Sequence, residues 1–499
     1  MRRRMTAMLV LVMFLAVSGC DQISMANRSE GRVEAFQEDA PAIRIVVDNR
    51  DAPRGAGANR DPYLEYVEQN TRLKLKLITP NSGSYADFLN ALMSSDDIPD
   101  LIHTDDPAWI AKYAEMGLLL PLDELLHNSV SGRKLLQLFP EEAWKASTFD
   151  GRIYAIPSLR EVYGDEVMMA RKDWLDALDL DPPETLEQYK RVMYAFTYGD
   201  PDRNLKNDTW GLTIMPGSLA RTAPFFGAFG VPRGGNQIMQ WKKQDDELVY
   251  SGILPETKRA LEFLAELYAE GVLDREFILN KPASFYDKII NGQVGLFSAA
   301  WDDVIGPIAE SMRRNPQAEW IRLPYPVGPD GQSGTANLNM VRSYTVIPRH
   351  SEHAREAISL LAFIAGDGHR TLKLGLTGEE ERDSSVREVL YALADPNDPE
   401  VRKEWLERLG GDGQLNENVE YIMQHARRSD FQGPPTPSMV KFGAQLLKLE
   451  NEMFAQIIMG MNPGQELFDK FSNEWIREGG WEIKHEVNKW YRDNREEGR

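Results

Sequence analysis

The chain has 499 residues, 57 Lys+Arg against 77 Asp+Glu, 42% hydrophobic residues and 9% aromatics, enough apolar content for two or three cores and too much for a disordered chain. A formal net charge of −20 lacks the basic footprint on which phosphate binding depends, so nucleic acid is excluded as an expected partner. The single cysteine, Cys20, cannot form an intramolecular disulfide, and stability must come from packing.

In chain order, Met1-Arg2-Arg3-Arg4 is followed by an apolar run from Met5 to Val17 and by Ser18-Gly19-Cys20, the charged, apolar and small-residue regions of a signal peptide over residues 1–19. The run is too short for a permanent membrane helix, which needs about 20 residues. Leu15-Ala16-Val17-Ser18-Gly19-Cys20 also resembles the bacterial lipobox, which implies that Cys20 becomes the first mature residue and carries lipid on its thiol. Asp21 resembles the Gram-negative signal for retention at the inner membrane. Two or three acyl chains attach stably where one is marginal, since each buried CH₂ contributes about 0.8 kcal/mol. Residues 20–40 then read as a lipidated, polar tether with a reach of roughly 25 Å, placing the body on the extracytoplasmic face of the cell membrane.

The body alternates strand and helix patterns. Ile43 to Asp48 is a buried strand, Pro62 opens a helix, and Leu73 to Leu77 alternates with period two. Asp87 to Met93 is helical and Asp100 to His103 a third strand, an order that implies a mainly parallel sheet. Such sheets bind ligands beyond the carboxyl ends of their strands, here Asn49-Arg50 and Thr104-Asp105-Asp106. Later, Ala260, Phe263, Leu264 and Leu267 form a helical stripe within Thr257 to Glu270; Val294 to Phe297 and Tyr344 to Pro348 are strands, and Glu352 to Ala365 is a helix. The C-terminal third, with Trp405, Trp475, Trp481 and Trp490 on helical patterns, is mostly α.

Enzyme signatures are not found. Gly55-Ala56-Gly57-Ala58-Asn59-Arg60 lacks the third glycine of a phosphate loop, the nearest histidines, His350 and His353, do not have zinc spacing, and there is no Gly-x-Ser-x-Gly elbow. The 77 acidic residues leave a glycosidase pair open, because any two of them facing each other across a sugar ring would serve. Asp200, Asp202, Asn204 and Asp208 place side-chain oxygens at positions 1, 3, 5 and 9 of a calcium-type loop, with the Lys206 carbonyl at position 7. Leu205 replaces the turn glycine and Gly211 the bidentate glutamate of an EF-hand, so the alternative is an acidic surface turn; a bound Ca²⁺ would be structural. No organic cofactor is implied.

Several segments together carry a family resemblance: Ile98-Pro99-Asp100-Leu101-Ile102, Gly117 to Asp123, Phe149 to Pro157, Arg171-Lys172-Asp173-Trp174-Leu175, the Asp200-to-Asp208 loop, Gly271-Val272-Leu273-Asp274, Gln456 to Gly460, and Gly479-Gly480 through Tyr491. The sequence resembles, nearly end to end, the extracellular solute-binding proteins of family 1, in the large LipO-type lipoprotein subgroup that serves carbohydrate ABC importers. In similar proteins the loop has glycines where this chain has Arg203 and Leu205.

The resemblance implies an α/β, type II periplasmic-binding-protein-like fold of two lobes, with hinge crossings near Pro157–Met168 and Arg342–Tyr344 and a helical C-terminal region. Lobe 1 is expected over 41–160 plus about 345–390, and lobe 2 over 161–344 plus about 391–499. It implies a monomer, not an enzyme, that takes a saccharide and delivers it to ABC permease subunits by closing on it. Sugar clefts combine aromatic platforms with charged or amide groups, so the candidates are Asp105, Asp106 and Trp109 after the third strand, Arg160, Glu161 and Tyr163 at the first crossing, Trp301 and Asp302 after Phe297, and Arg342 and Tyr344 at the second. Trp301 leads, because sugar-binding relatives resemble this chain in carrying an aromatic there. A surface hydrolase or lyase, or a receptor for a non-sugar solute, is the alternative.

Overall fold

A computed structural model describes residues 41–48, 61–80, 84–95, 97–164, 166–215, 219–234, 237–376, 385–410, 413–460 and 464–496. The expectations for Cys20 and the rest of 1–40, and for Asn49 and Arg50, lie outside these residues. Among the described residues no helix is long and apolar enough to cross a membrane.

The first sheet has five strands in the order Lys74–Ile78, Ala42–Val46, Leu101–Thr104, Val341–Val346, Ala155–Leu159. Its inner strands are covered on both faces, so Ile45, Val46, Leu101 and Ile102 are fully buried, as near-continuous apolar runs require. Lys74–Ile78 is an edge strand, and exposed Lys74 and Lys76 alternate with buried Leu75, charges that blunt the edge against further pairing. The flanking helices start on side-chain caps. Asp61 accepts from Tyr63 and Leu64 N–H before Pro62–Thr71, Ser84 caps Tyr85–Leu92, and Asp106 caps Pro107–Glu115.

The expected parallel sheet is found over its first three strands. Only Val341–Val346 runs against its neighbours, pairing antiparallel with both Leu101–Thr104 and Ala155–Leu159. The reason is the path of the chain. Ala155–Leu159 leaves the first sheet for the second, and Val341–Val346 brings the chain back through the same edge.

The second sheet, Leu296–Ala300, Glu166–Arg171 and Trp320–Leu323, is wholly antiparallel. It is buried on both faces: Met168 and Ala170 face one core, and Val167 and Met169 face another. The segment from Leu393 to Asp398 makes a third passage. The Asp395 carbonyl accepts the Leu159 N–H at 2.7 Å, after which helices Pro399–Leu409 and Gln414–His425 send Leu406, Val419 and Ile422 into a core of the second sheet.

The C-terminal part is helical as expected. Pro437–Ile458 packs with Gly464–Trp475 and Pro255–Ala269. Between Trp475 and Trp481 the helix breaks at Gly479, whose φ of 126° suits glycine alone and whose absent Cβ would lie 2.4 Å from the Phe442 ring.

Candidate functional site

Register brings the carboxyl ends of the first sheet to one edge. Val46 pairs with Ile102, Thr104 with Tyr344, and Leu159 with Val341, so Asp48, Thr104 to Asp106, Arg160, Glu161 and Arg342 share that edge. In the second sheet Ala300 pairs with Glu166, the first residue of its strand after the crossing. Trp301 and Asp302 therefore sit at the edge of the second sheet nearest the crossings.

Nine of the ten sequence candidates, all but Tyr163, divide into three groups. Asp105 and Asp106 are exposed, and Asp106 is engaged as a helix cap, accepting from Ala108 and Trp109 N–H at 2.9 and 3.1 Å. Trp109 and Tyr344 are core residues, 5% and 7% exposed, with Trp109 packed 4.5 Å from the Tyr113 ring. Burial pushes the Tyr344 phenol well above its ordinary value. The third group meets at the crossings: Arg160 donates to the Asn339 carbonyl at 3.0 Å, and Glu161 pairs with Arg342 at 3.4 Å. Half-buried Trp301 lies 6.2 Å from Trp405, with Asp302 exposed beside it.

Several residues in this group were not anticipated. Lys373, 2% exposed, donates to Glu161 at 2.7 Å and to Asp395 at 2.9 Å. Its ammonium lies over the Tyr391 ring at 4.2 Å and the Trp405 ring at 4.8 Å. Asp395, fully buried, also accepts the Asn397 N–H at 2.7 Å, and Asn397 binds the Arg160 carbonyl at 2.6 Å. Burial works against the Glu161 charge, but Lys373 and then Arg342 outweigh it and hold the carboxyl below its ordinary value. A continuous set of contacts thus runs from Trp301 through Trp405 and Lys373 to Glu161 and Arg342, joining the two sheet edges. The tract His369-Arg370-Thr371-Leu372-Lys373-Leu374 gives one signal in the sequence, a lysine flanked by leucines.

Tyr163 is elsewhere in the crossing. It lines a small recess with Glu142, Asn337, Leu338, Asn339 and Met340, a wall of mixed polar and apolar side chains with one aromatic ring.

The loop from Asp200 to Asp208 is closed on itself. Asn204 donates its amide to Asp202 at 2.7 Å and to Asp208 at 3.0 Å, while Asp200 accepts the Asn204 and Leu205 N–H groups and Asn204 accepts that of Lys206. Arg203 and Leu205 adopt left-handed φ of 55° and 61°, the conformation for which glycine is favoured. Partial burial, with Asp200 and Asp208 close by, raises the Asp202 carboxyl above its ordinary range. Among the described residues no group of three or more His, Cys, Asp or Glu side chains is arranged to hold a metal ion.

The model of the bacterial extracellular solute-binding proteins matches residues 52–370, which is more than half of the chain. The chain belongs to this family. Its members are binding proteins, not enzymes. This binding protein is 24% identical to lipoprotein LipO of Bacillus subtilis over 527 aligned positions, covering 99% of each chain. It is 26% identical to the fructooligosaccharide ABC transporter substrate-binding protein FusA of Streptococcus pneumoniae over 296 positions, 56% of this chain and 52% of FusA. The structure of FusA in complex with kestose superposes with a TM-score of 0.70 at 18% identity, covering 91% of this chain and all of that one. An EF-hand mutant of FusA in complex with fructo-nystose superposes with a TM-score of 0.69, again at 18% identity, over 91% of this chain and all of that one. The fold is thus the two-lobe, type II periplasmic-binding-protein-like one.

Proposed function

We propose that this protein is a lipid-anchored, extracytoplasmic receptor that captures an oligosaccharide between its lobes, as a monomer, and delivers it intact to an ABC permease. The observation that carries the reading is the Trp301–Trp405 pair at the crossings, with exposed Asp302 beside it and the Glu161 and Arg342 charges at the adjoining sheet edge. Indole faces stack on the apolar faces of sugar rings, and a charged rim binds the hydroxyls. FusA, which shares the fold, is named for fructooligosaccharides. Trp301, Asp302, Arg160, Glu161 and Arg342 form the proposed contact set, with Asp105 and Asp106 on the first sheet's rim and Tyr163 at the recess; Trp109 and Tyr344 support it from the core.

The lobes of this reading are 41–160 plus about 345–390, and 161–344 plus about 391–499. Three passages of the chain lie close to these bounds: after Leu159, before Val341, which leaves Val341 to Tyr344 in the first sheet, and through Leu393 to Asp398. LipO being a lipoprotein supports the same state for Cys20 here, with residues 1–19 removed and residues 20–40 as tether. For the loop, the donor chemistry fits a hard cation: Asp200, Asp202 and Asp208 carboxylates, the Asn204 amide oxygen and the Lys206 carbonyl. A Ca²⁺ there would take the place of the Asn204 amide hydrogens at the Asp202 and Asp208 carboxylates, and would fix the loop.

The test is calorimetric titration with kestose and longer oligosaccharides, together with X-ray scattering. Binding with a decrease in radius of gyration and recovery of uncut sugar is expected. Cleaved products, or an unchanged radius at saturation, would refute it.

A further inference from the structure

The turn that carries Trp301 is held from below by a buried polar cluster. Strand Leu296–Ala300 ends at Ala300, and the chain folds back so that Asp303 accepts the Ala300 N–H at 2.8 Å. The Asp303 residue is 5% exposed. Its carboxyl is hydrogen-bonded with Tyr286 and faces Arg221, with Asp302 as its acidic neighbour. Arg221, itself 8% exposed, donates to the Tyr286 hydroxyl at 2.9 Å.

Glu166 locks this arrangement to the sheet. It accepts the Arg221 N–H at 3.1 Å, the Ala223 N–H at 3.0 Å and the Ser298 hydroxyl at 2.7 Å, and Ser298 lies two residues before Ala300 on the strand that Glu166 pairs with. Leu219 and Arg221 adopt left-handed φ of 47° and 71°, a backbone that non-glycine residues keep only where surrounding bonds enforce it. The cluster therefore positions Arg221 opposite Asp303 from an independently fixed segment.

We propose that Asp303 is a positioning residue that orients the Trp301 ring for ligand, by gripping the Ala300 N–H and facing Arg221. The proposal rests on the reading of Trp301 as a sugar platform. Asp303 acts through the turn and is not itself offered as a ligand contact.

Charge is what makes the grip strong, since a carboxylate accepts a backbone N–H more tightly than a neutral acid and is a counter-ion for Arg221. Burial favours the neutral form and Arg221 the charged one; the balance raises the carboxyl from 3.8 to about 6. Asp303 is thus ionised at neutral pH and neutral in mild acid. When it is neutral the turn gains freedom, and ligand binding must then order it.

The experiment uses the full chain with 5-fluorotryptophan and ¹⁹F NMR without ligand, the Trp301 resonance being identified by its loss in Trp301→Phe. It should titrate with a midpoint near 6, the value to which Asp303 is raised, and stay constant over the same range in Asp303→Asn, with the other tryptophan resonances reporting an intact fold. Calorimetry with kestose should show affinity about tenfold weaker in mild acid than at neutral pH, the equivalent of about 1.4 kcal/mol. Asp303→Asn should hold the weaker value at both. A Trp301 resonance that does not move, or that moves identically in Asp303→Asn, overturns the proposal. If the resonance titrates as expected but no saccharide binds at any pH, the positioning role stands and the saccharide reading fails.

Discussion

Replacing Lys373 by methionine should strip the crossing of its buried cation while leaving its volume filled. The ammonium makes two charged hydrogen bonds, 2.7 Å to Glu161 and 2.9 Å to Asp395. A methionine can still pack on Tyr391 and Trp405, the rings that the ammonium now lies over, so the loss is electrostatic rather than a cavity. Removing one partner of a buried pair costs about 3–5 kcal/mol, because a charge is left without compensation. Glu161 keeps Arg342 at 3.4 Å, which places the expected loss near the lower end, about 3 kcal/mol.

Urea unfolding with an unchanged slope and a lower midpoint is the measurement. Adding Asp395→Asn to Lys373→Met should return at least half of the loss, since the uncompensated carboxylate is then gone. The pH dependence follows from the two shifts. Glu161 is held below its ordinary 4.5, so its contribution is present above that value and disappears as pH falls through the lowered one. Burial alone would lower Lys373, but Asp395 and Glu161 raise it above 10.5, so its contribution is present below that value and disappears in stronger base. The deficit of the variant should therefore be full between these limits and narrow in acid. A loss under about 0.5 kcal/mol, or no recovery in the double variant, would refute the reasoning.

Trp301→Ala should weaken oligosaccharide binding by about 1–3 kcal/mol with the thermal midpoint little changed; an unaltered calorimetric Kd removes this ring from the site. Ca²⁺ should raise the thermal midpoint and a chelator lower it, a stabilisation of about 2.7 kcal/mol at a hundredfold excess over Kd. The effect should be absent in Asp202→Ala, and a midpoint indifferent to chelator in the starting protein refutes the cation reading. Gly479→Ala must fit a Cβ 2.4 Å from the Phe442 ring at a φ of 126°, so a loss of about 1–3 kcal/mol in urea unfolding is expected; a neutral result would mean that the kink relaxes.

The strands that carry the architecture are readable where local pattern and burial agree. Ile43, Ile45 and Val46 form an apolar run because a central strand meets protein on both faces. The stripe of Ala260, Leu264 and Leu267 is buried for the same kind of reason, although Leu261, also fully buried, lies beside that stripe. Trp109 is different. It follows a strand and looks like a cleft residue, but Asp106 and Pro107 start a helix at once, which turns the indole into the core. Tyr344 lies in an inner strand of the first sheet, and its ring is part of the core packed against that sheet. Lys373 could not be recognised from composition, since a lysine in a short helix is ordinarily solvated; only the third passage of the chain brings Asp395 and Glu161 to it.

The placement of that ionic set bears on how a binding protein can close. Glu161 belongs to the first crossing, Arg342 to the second, and Asp395 to the third; Lys373 joins Glu161 to Asp395, and Arg342 pairs with Glu161. An apolar junction of the same size would gain steadily from burial, about 25 cal/mol per Å², and would resist any opening that wets it. A buried ionic junction gains little net energy from remaining dry, because Coulomb attraction and desolvation nearly cancel. It still fixes geometry, since Glu161 has few positions that satisfy Lys373 and Arg342 together, and Asp395 few that satisfy Lys373 and the Asn397 N–H. A crossing built this way can be specific in shape without being deep in energy, so the modest differential affinity of a sugar for one lobe arrangement is enough to shift the population toward it.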